Sequence, residues 1–292
     1  MKKLLCVLLV LLLFCCCSCG EVKTPEGLVE GSVVITTENL PKICVDKNYE
    51  YVGKSLVATL LRTDDDAVIS ENISSCDSSS ELYNKLLNNE CDIVIGITPN
   101  EEIENALKNG GVTLKSITIA HDALVFFCNP DIGVDNLTEE QIASVFSGKV
   151  KNWSELGGAN QPISAFFSPK DSLENVWFEE HFKLETKAEV VTDKLSGDLG
   201  VYLAPISYDN RPGAIGYTRS KTYPGSGIGG GRLKLSINGV EPYNETLENG
   251  SYPYTKKIVI AIKSGLEKDN VTEIIYNWLI SEQGKEYLKT IK

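Results

Sequence analysis

The 292-residue sequence predicts an α/β protein of two lobes carried behind a secretory leader. Three observations lead there. Apolar segments alternate between strand-like and helix-like patterns along the chain, a new unit begins after an Asn129-Pro130 turn, and a basic, apolar, small-residue series occupies the first twenty positions. Alternating strands and helices imply a largely parallel sheet covered on both faces.

Lys2 and Lys3 precede an apolar run over 4–14, followed by Cys15, Cys16, Cys17, Ser18, Cys19 and Gly20. Such a run falls short of the roughly 20 residues a permanent span needs and reads as an export signal with a cleavage point. Residues 1–19 are therefore expected to be a lipoprotein signal peptide, and Pro- and Gly-containing residues 20–31 a tether.

Beyond the tether, the β-branched run 33–36 reads as a strand, 55–61 as a helix, 67–73 as a second strand, 79–88 as a helix and 92–98 as a buried strand. Residues 101–109 form a helix closed by Gly110 and Gly111. The apolar strand 123–128 ends at Asn129-Pro130. Thr138 with Gln141 three residues on is a capping-box spacing, followed by Ile142, Val145 and Phe146 on one face and a stop at Gly148. Residues 163–167 read as a strand, 173–182 as a helix, 214–218 as a strand after the turn Arg211-Pro212-Gly213, 233–237 and 257–262 as strands, and 271–279 and 284–288 as closing helices.

The chain carries a formal charge of −12, and its leader holds two lysines and no acid, so removal makes the remainder more acidic. No basic face is available for nucleic acid. Any small anion must be caught by local donors against the global field. Cys44, Cys76, Cys91 and Cys128 are an even set in an exported chain, which leaves one or two disulfides and buried free thiols as the two readings. There is no C-x-x-C pair, and His121 and His181 are the only histidines, so neither a zinc site nor another cofactor is expected. The glycine run 225–231 precedes an alternating strand and not a helix, and reads as a loop between lobes, not as a dinucleotide fingerprint. Arg219 and Lys221, after the strand 214–218, read as solvated surface cations in preference to cleft residues. His121-Asp122 lacks a G-x-S-x-G partner and reads as structural. Trp153, Trp177 and Trp278 read as core anchors unless two of them meet as a cage.

Five phrases together resemble one family, the phosphate-type (PstS-like) solute-binding lipoproteins that feed ABC importers. They are "DALVFFCNP" (122–130), "NLTEEQIASVFSGKVKNWSELGG" (136–158), "GAIGYT" (213–218), "NGVEPYNETLENGSYPYTKKI" (238–258) and "WLISEQGKEYL" (278–288). The resemblance implies a two-lobed, type II periplasmic-binding-protein fold, with lobe 1 over 32–125 plus 232–292 and lobe 2 over 126–231. It implies no catalysis. It also implies an extracytoplasmic monomer that takes a small oxyanion, above all phosphate, between its lobes and hands it to membrane permease subunits driven by a cytoplasmic ATPase. The lipid would sit on Cys19, which follows Ser18 and precedes Gly20. Cys16, with Leu13 three residues earlier, is the competing site.

The loops that would touch phosphate are altered. Where the family has an Asp-Gly-Ser-Thr loop after "LPKI", this chain has Cys44, Val45, Asp46, Lys47, Asn48 and Tyr49. Where the family has Ser-Gly-Thr-Arg, it has Ser172, Leu173, Glu174 and Asn175. Positions carried over from the family name Lys47 and Asn48 in lobe 1, and Ser172, Asn175 and Thr218 in lobe 2, as ligand contacts. An ionised Glu174 or Asp46 beside a dianion in a dry cleft is costly. Either a carboxyl is protonated and donates, or the solute is cationic or zwitterionic, or the fold serves as a sensor or surface interaction module.

Overall fold

The computed structural model describes residues 33–170, 172–188, 212–220 and 234–291. The leader, Cys16, Cys19, the tether, Arg211, Lys221 and the glycine run 225–231 lie outside the described residues. No described helix is long and apolar enough to cross a membrane.

The strands β1 (Ile43–Asp46), β2 (Ile73–Cys76), β3 (Ile93–Ile97), β4 (Leu114–Cys128), β6 (Ser164–Ala165), β7 (Ala214–Arg219) and β9 (Thr255–Lys263) form one sheet in the order β2-β1-β3-β9-β4-β7-β6. The short pair β5 (Asn136–Leu137) and β8 (Ser236–Ile237) stands apart. Around them lie α1 (Glu50–Leu61), α2 (Asp66–Glu71), α3 (Ser79–Leu87), α4 (Glu101–Asn109), α5 (Glu139–Phe146), α6 (Leu173–Phe182), α7 (Asn244–Glu248), α8 (Val271–Ile280) and α9 (Glu282–Thr290).

The expectation of a largely parallel sheet is corrected. β1 pairs parallel with β2 and β3, and β6 with β7, but β9 runs antiparallel to β3 and β4, and β7 antiparallel to β4. The cause is the 15-residue β4, which pairs with β9 through Ala123 and with β7 from Leu124 onward. One strand thus serves both cores.

The first core lies on the two faces of β1, β3 and β9. Ile43, Val45, Ile93, Ile95, Ile258 and Ile260 pack with α1 and α8 on one side. Cys44, Val94, Val259 and Ala261 pack with Leu82, Leu86 and Leu107 of α3 and α4 on the other. Period-two alternation buries both faces of these strands. The second core surrounds Phe126, whose ring lies 5.9 Å from both Phe146 and Tyr217 and 6.4 Å from Phe178. Leu235, Ile237, Leu247 and Tyr252 belong to this second core, and Ile258, Ile260 and Ile262 of β9 to the first. Trp153 closes the second core, and its Nε1 donates to Gly213 O at 2.9 Å.

Two local expectations are overturned. The segment 67–73 is a helix followed by a strand, because Asp65 accepts from Ala67 N and Val68 N and starts α2. Residues 33–36 make no strand, since Asn39 Oδ1 accepts from Thr36 N and closes a turn. The first strand comes later, and it includes Cys44 to Asp46, which read as loop in the sequence. Elsewhere the capping box at Thr138 and Gln141, α4 over Glu101–Asn109 and α6 over Leu173–Phe182 stand where the sequence puts them.

Candidate functional site

The ends of β1 and β7, the N-terminus of α6 and the middle of β4 converge on one buried guanidinium. Arg219 is the last residue of β7 and is 7% exposed, the only buried cation among the described residues. Its Nε donates to Glu174 Oε1 at 3.0 Å, its Nη1 to Asp122 Oδ2 at 3.2 Å and to Tyr49 Oη at 3.5 Å, and its Nη2 to Asn48 Oδ1 at 3.4 Å. The position agrees with the rule that open α/β sheets bind ligands at strand ends.

Each partner is placed by its own local structure. Asp46 ends β1 and N-caps the 3₁₀ turn Lys47–Tyr49, accepting from Asn48 N at 2.9 Å and Asn48 Nδ2 at 2.8 Å. That turn aims Asn48 Oδ1 and the Tyr49 hydroxyl at Arg219. Ser172 N-caps α6 by accepting from Asn175 N at 3.2 Å, which puts Glu174 in the first turn. Asp122 is fully buried, and accepts from Ser220 Oγ at 2.8 Å, Ala123 N at 2.9 Å and Tyr49 Oη at 3.3 Å besides Arg219. Asp122 positions the guanidinium, and its acceptor capacity is taken.

Among the described residues the contacts to Arg219 bring together one cation and two carboxylates. Two unit charges 4 Å apart interact by about 4 kcal/mol at an effective dielectric constant near 20, so the second carboxylate matters to any incoming anion. Burial works against the Arg219 charge, but Asp122, Tyr49 and Glu174 outweigh it and hold the guanidinium above its ordinary range. Burial first, and the Asp122 charge second, raise the Tyr49 phenol, which therefore stays neutral and serves as a donor.

Of the residues named from the sequence, Asn48 reaches the cluster directly. Ser172 and Asn175 stand at the start of α6 beside Glu174, where Asn175 Nδ2 donates to Lys170 O at 3.1 Å and its Oδ1 accepts from Tyr217 Oη at 2.9 Å. Lys47 points elsewhere: its Nζ pairs with Asp77 Oδ1 at 2.7 Å, and its side chain is half exposed. Thr218 is buried on the face of β7 opposite Tyr217 and Arg219. Asp46 is spent on its own turn. The expectation of a solvated Arg219 is corrected: burial between two carboxylates removes it from water. Its alternation with Tyr217, a core position, was the signal available in the sequence. Tyr49 carried no such signal.

Trp153 lies in the second core and Trp177 and Trp278 in the first, so these residues form no cage. Lys256 Nζ sits 5.2 Å from the centre of the Trp177 ring. Cys44, Cys76, Cys91 and Cys128 are buried free thiols, the second of the two readings the sequence left open. Among the described residues no group of three or more His, Cys, Asp or Glu is placed to hold a metal ion.

Residues 75–288 match the family model described as the PBP superfamily domain. Among curated proteins, the phosphate-binding protein PstS of Borreliella burgdorferi is 26% identical over 217 residues, 71% of this chain and 72% of that protein. The PstS of Bacillus subtilis is 29% identical over 164 residues, which is 53% of this chain and only 52% of the relative. Among solved structures, an ABC-type phosphate transport receptor from Vibrio cholerae superposes with a TM-score of 0.63 at 18% identity, covering 85% of this chain and 97% of the other. PstS from Borrelia burgdorferi superposes at 0.60 with 19% identity, covering 85% and 95%. At these identities the superpositions show a shared fold, a type II periplasmic-binding-protein architecture.

Proposed function

Because the chain belongs to the PBP superfamily, and within it to the PstS-like, phosphate-type solute-binding proteins, we propose that it is the extracytoplasmic receptor of an ABC importer. It captures a small oxyanion, phosphate first among them, between its lobes. The leader supports anchoring by lipid at Cys19, and the curated relatives support delivery of the solute to membrane permease subunits. The receptor works as a monomer, without catalysis.

One observation carries the reading. A buried guanidinium stands at the meeting of β1, β4, α6 and β7, and its planar fork of donors, which faces Glu174, Asp122, Tyr49 and Asn48 in this structure, is of the kind that pairs with an oxyanion. The N-terminal turn of α6 adds aligned dipoles on the same side. Lobe closure over the solute is then a signal that a permease can read.

Isothermal titration of the mature chain with phosphate tests the proposal. Saturable binding with a stoichiometry of one, lost in Arg219→Met, supports it. Absence of heat with phosphate, arsenate and sulfate removes the oxyanion. One observation favours a second reading, a sensor or interaction module on the same fold: Glu174 and Asp122 already neutralise Arg219. That reading expects no solute and no closure.

A further inference from the structure

Among the described residues, three buried side-chain polar atoms have no hydrogen-bond partner, and two of them, Trp177 Nε1 and Tyr254 Oη, belong to residues that line one cavity. The cavity holds about 210 Å³ and is bounded by Leu124 of β4, by Trp177, Glu180 and His181 of α6, and by Tyr254 and Lys256 at the start of β9. We propose that it is a second binding site, which takes a small uncharged polyhydroxy compound such as a sugar ring or a short polyol. None of the four side chains bonded to Arg219 lines it, so it stands independently of the oxyanion reading.

Tyr254 is put there against its backbone preference. Its φ is +66°, the left-handed region that a bulky residue rarely enters. Leu124 fixes the turn from both sides, its N donating to Tyr254 O at 3.3 Å and its O accepting from Tyr252 Oη at 3.2 Å. Strained backbone of this kind gathers at ligand clamps. Here strain and an unsatisfied hydroxyl coincide in one residue. Trp177 is buried in the first core, whereas the next residue, Phe178, packs in the second. The cavity therefore lies where α6 touches both cores.

The wall selects the ligand. An indole N–H can only donate and a neutral phenol also carries a proton to give, so the ligand must supply acceptors. Lys256 Nζ, paired with Glu180 Oε2 at 2.7 Å, brings further donors, and Glu180 Oε1 is an acceptor. Hydroxyls on adjacent carbons, which both give and take hydrogen bonds, answer this mixture. Charge argues against an ion. The Lys256–Glu180 pair has no net charge, and burial first, then the charges of Glu139 and Glu140, raise the Tyr254 phenol, so its hydroxyl stands in a negative field that repels an anion. A cation leaves both donors unpaired, which is the costly outcome. The volume equals that of about seven molecules of liquid water, room for one sugar ring. Beside it the His181 and Tyr254 rings, 4.4 Å between centroids, supply an aromatic side.

Nuclear magnetic resonance of the tryptophan indole N–H groups in the mature chain tests this, with glycerol, D-ribose, D-glucose and myo-inositol as probes and acetate as the charged control. The expected result is a saturable shift of the Trp177 signal with at least one polyol, while the Trp153 signal, whose N–H is already bonded to Gly213 O, stays in place. Tyr254→Phe removes only the hydroxyl and is expected to weaken that binding about fivefold or more. Because the hydroxyl has no partner in the free protein, the same variant is expected to unfold at an unchanged or higher urea concentration. No saturable shift with any of the four polyols, a larger response to acetate, or equal affinity in Tyr254→Phe overturns the site. So does a clear loss of stability in Tyr254→Phe, which assigns the hydroxyl a structural partner. A crystal of the wild type soaked with the tightest polyol provides the second measurement: the polyol on Trp177 Nε1 and Tyr254 Oη supports the site, and ordered water alone on both atoms overturns it.

Discussion

Arg219 Nη1 holds Asp122 Oδ2 at 3.2 Å and so ties the last residue of β7 to the strand shared by both cores. Asp122 is fully buried, so Arg219→Met would strand its charge together with that of Glu174. Breaking a buried pair from one side costs about 3–5 kcal/mol. Urea unfolding of the variant is expected to show that loss, and adding Asp122→Asn is expected to return part of it.

Gly213 precedes β7, and a Cβ there would lie 1.9 Å from Pro162 O. Pro162 is backbone in the segment before β6 and cannot yield without moving that strand, which pairs parallel with β7. Gly213→Ala is expected to destabilise by about 1–3 kcal/mol through overpacking, measured by chemical denaturation. Because Trp153 Nε1 donates to Gly213 O, a change in near-ultraviolet tryptophan dichroism should accompany the loss.

Ser172 caps the helix that presents Glu174. Ser172→Ala is expected to lower stability by about 1 kcal/mol. Frayed first-turn amides should show in hydrogen exchange at residues 173–176, with the rest of the second core protected. Unchanged exchange there would mean that the hydroxyl does not hold the turn.

Cys44 ends up acidic for a thiol. Its hydrogen bond from Cys91 outweighs the opposing effect of burial and, with the Lys85 charge adding, brings it from 9.0 to about 7. Cys91 is raised in turn, by that same contact and by burial. Between pH 7 and pH 9 the unfolded chain therefore holds a proton on Cys44 that the folded chain has released, so stability rises with pH across this window and is lost as pH falls toward 7. Above the ordinary thiol value the sign reverses, since folded Cys91 keeps a proton that the unfolded chain gives up. Thiolate absorbance at 240 nm should titrate near pH 7 in the wild type and vanish from that range in Cys44→Ser.

Much of the fold is legible in local chemistry. Asn100 and Ser172 stand one residue before α4 and α6, and Thr138 with Gln141 opens α5, because caps answer a need that every helix end has. The failures are local competitions settled by a neighbour. The apolar run after Asp66 resembles a strand until the Asp65 side chain takes two of its amides. Cys44 and Asp46 look like loop residues until β1 acquires β2 and β3 on its two sides.

By itself the sequence determined the alternation of strands and helices, the helix starts and the family, all of which depend on residues close together or on phrases kept in order. Tertiary structure alone decided the mixed sheet and the site. A long strand reads the same whether its partners run with it or against it, and only its pairing with β9 and then β7 sets the direction. Whether Arg219 faces water or the interior depends on Asp122, 97 positions away, and Glu174, 45 positions away. A charge can leave water only where folding assembles its partners, and no window along the chain contains all three.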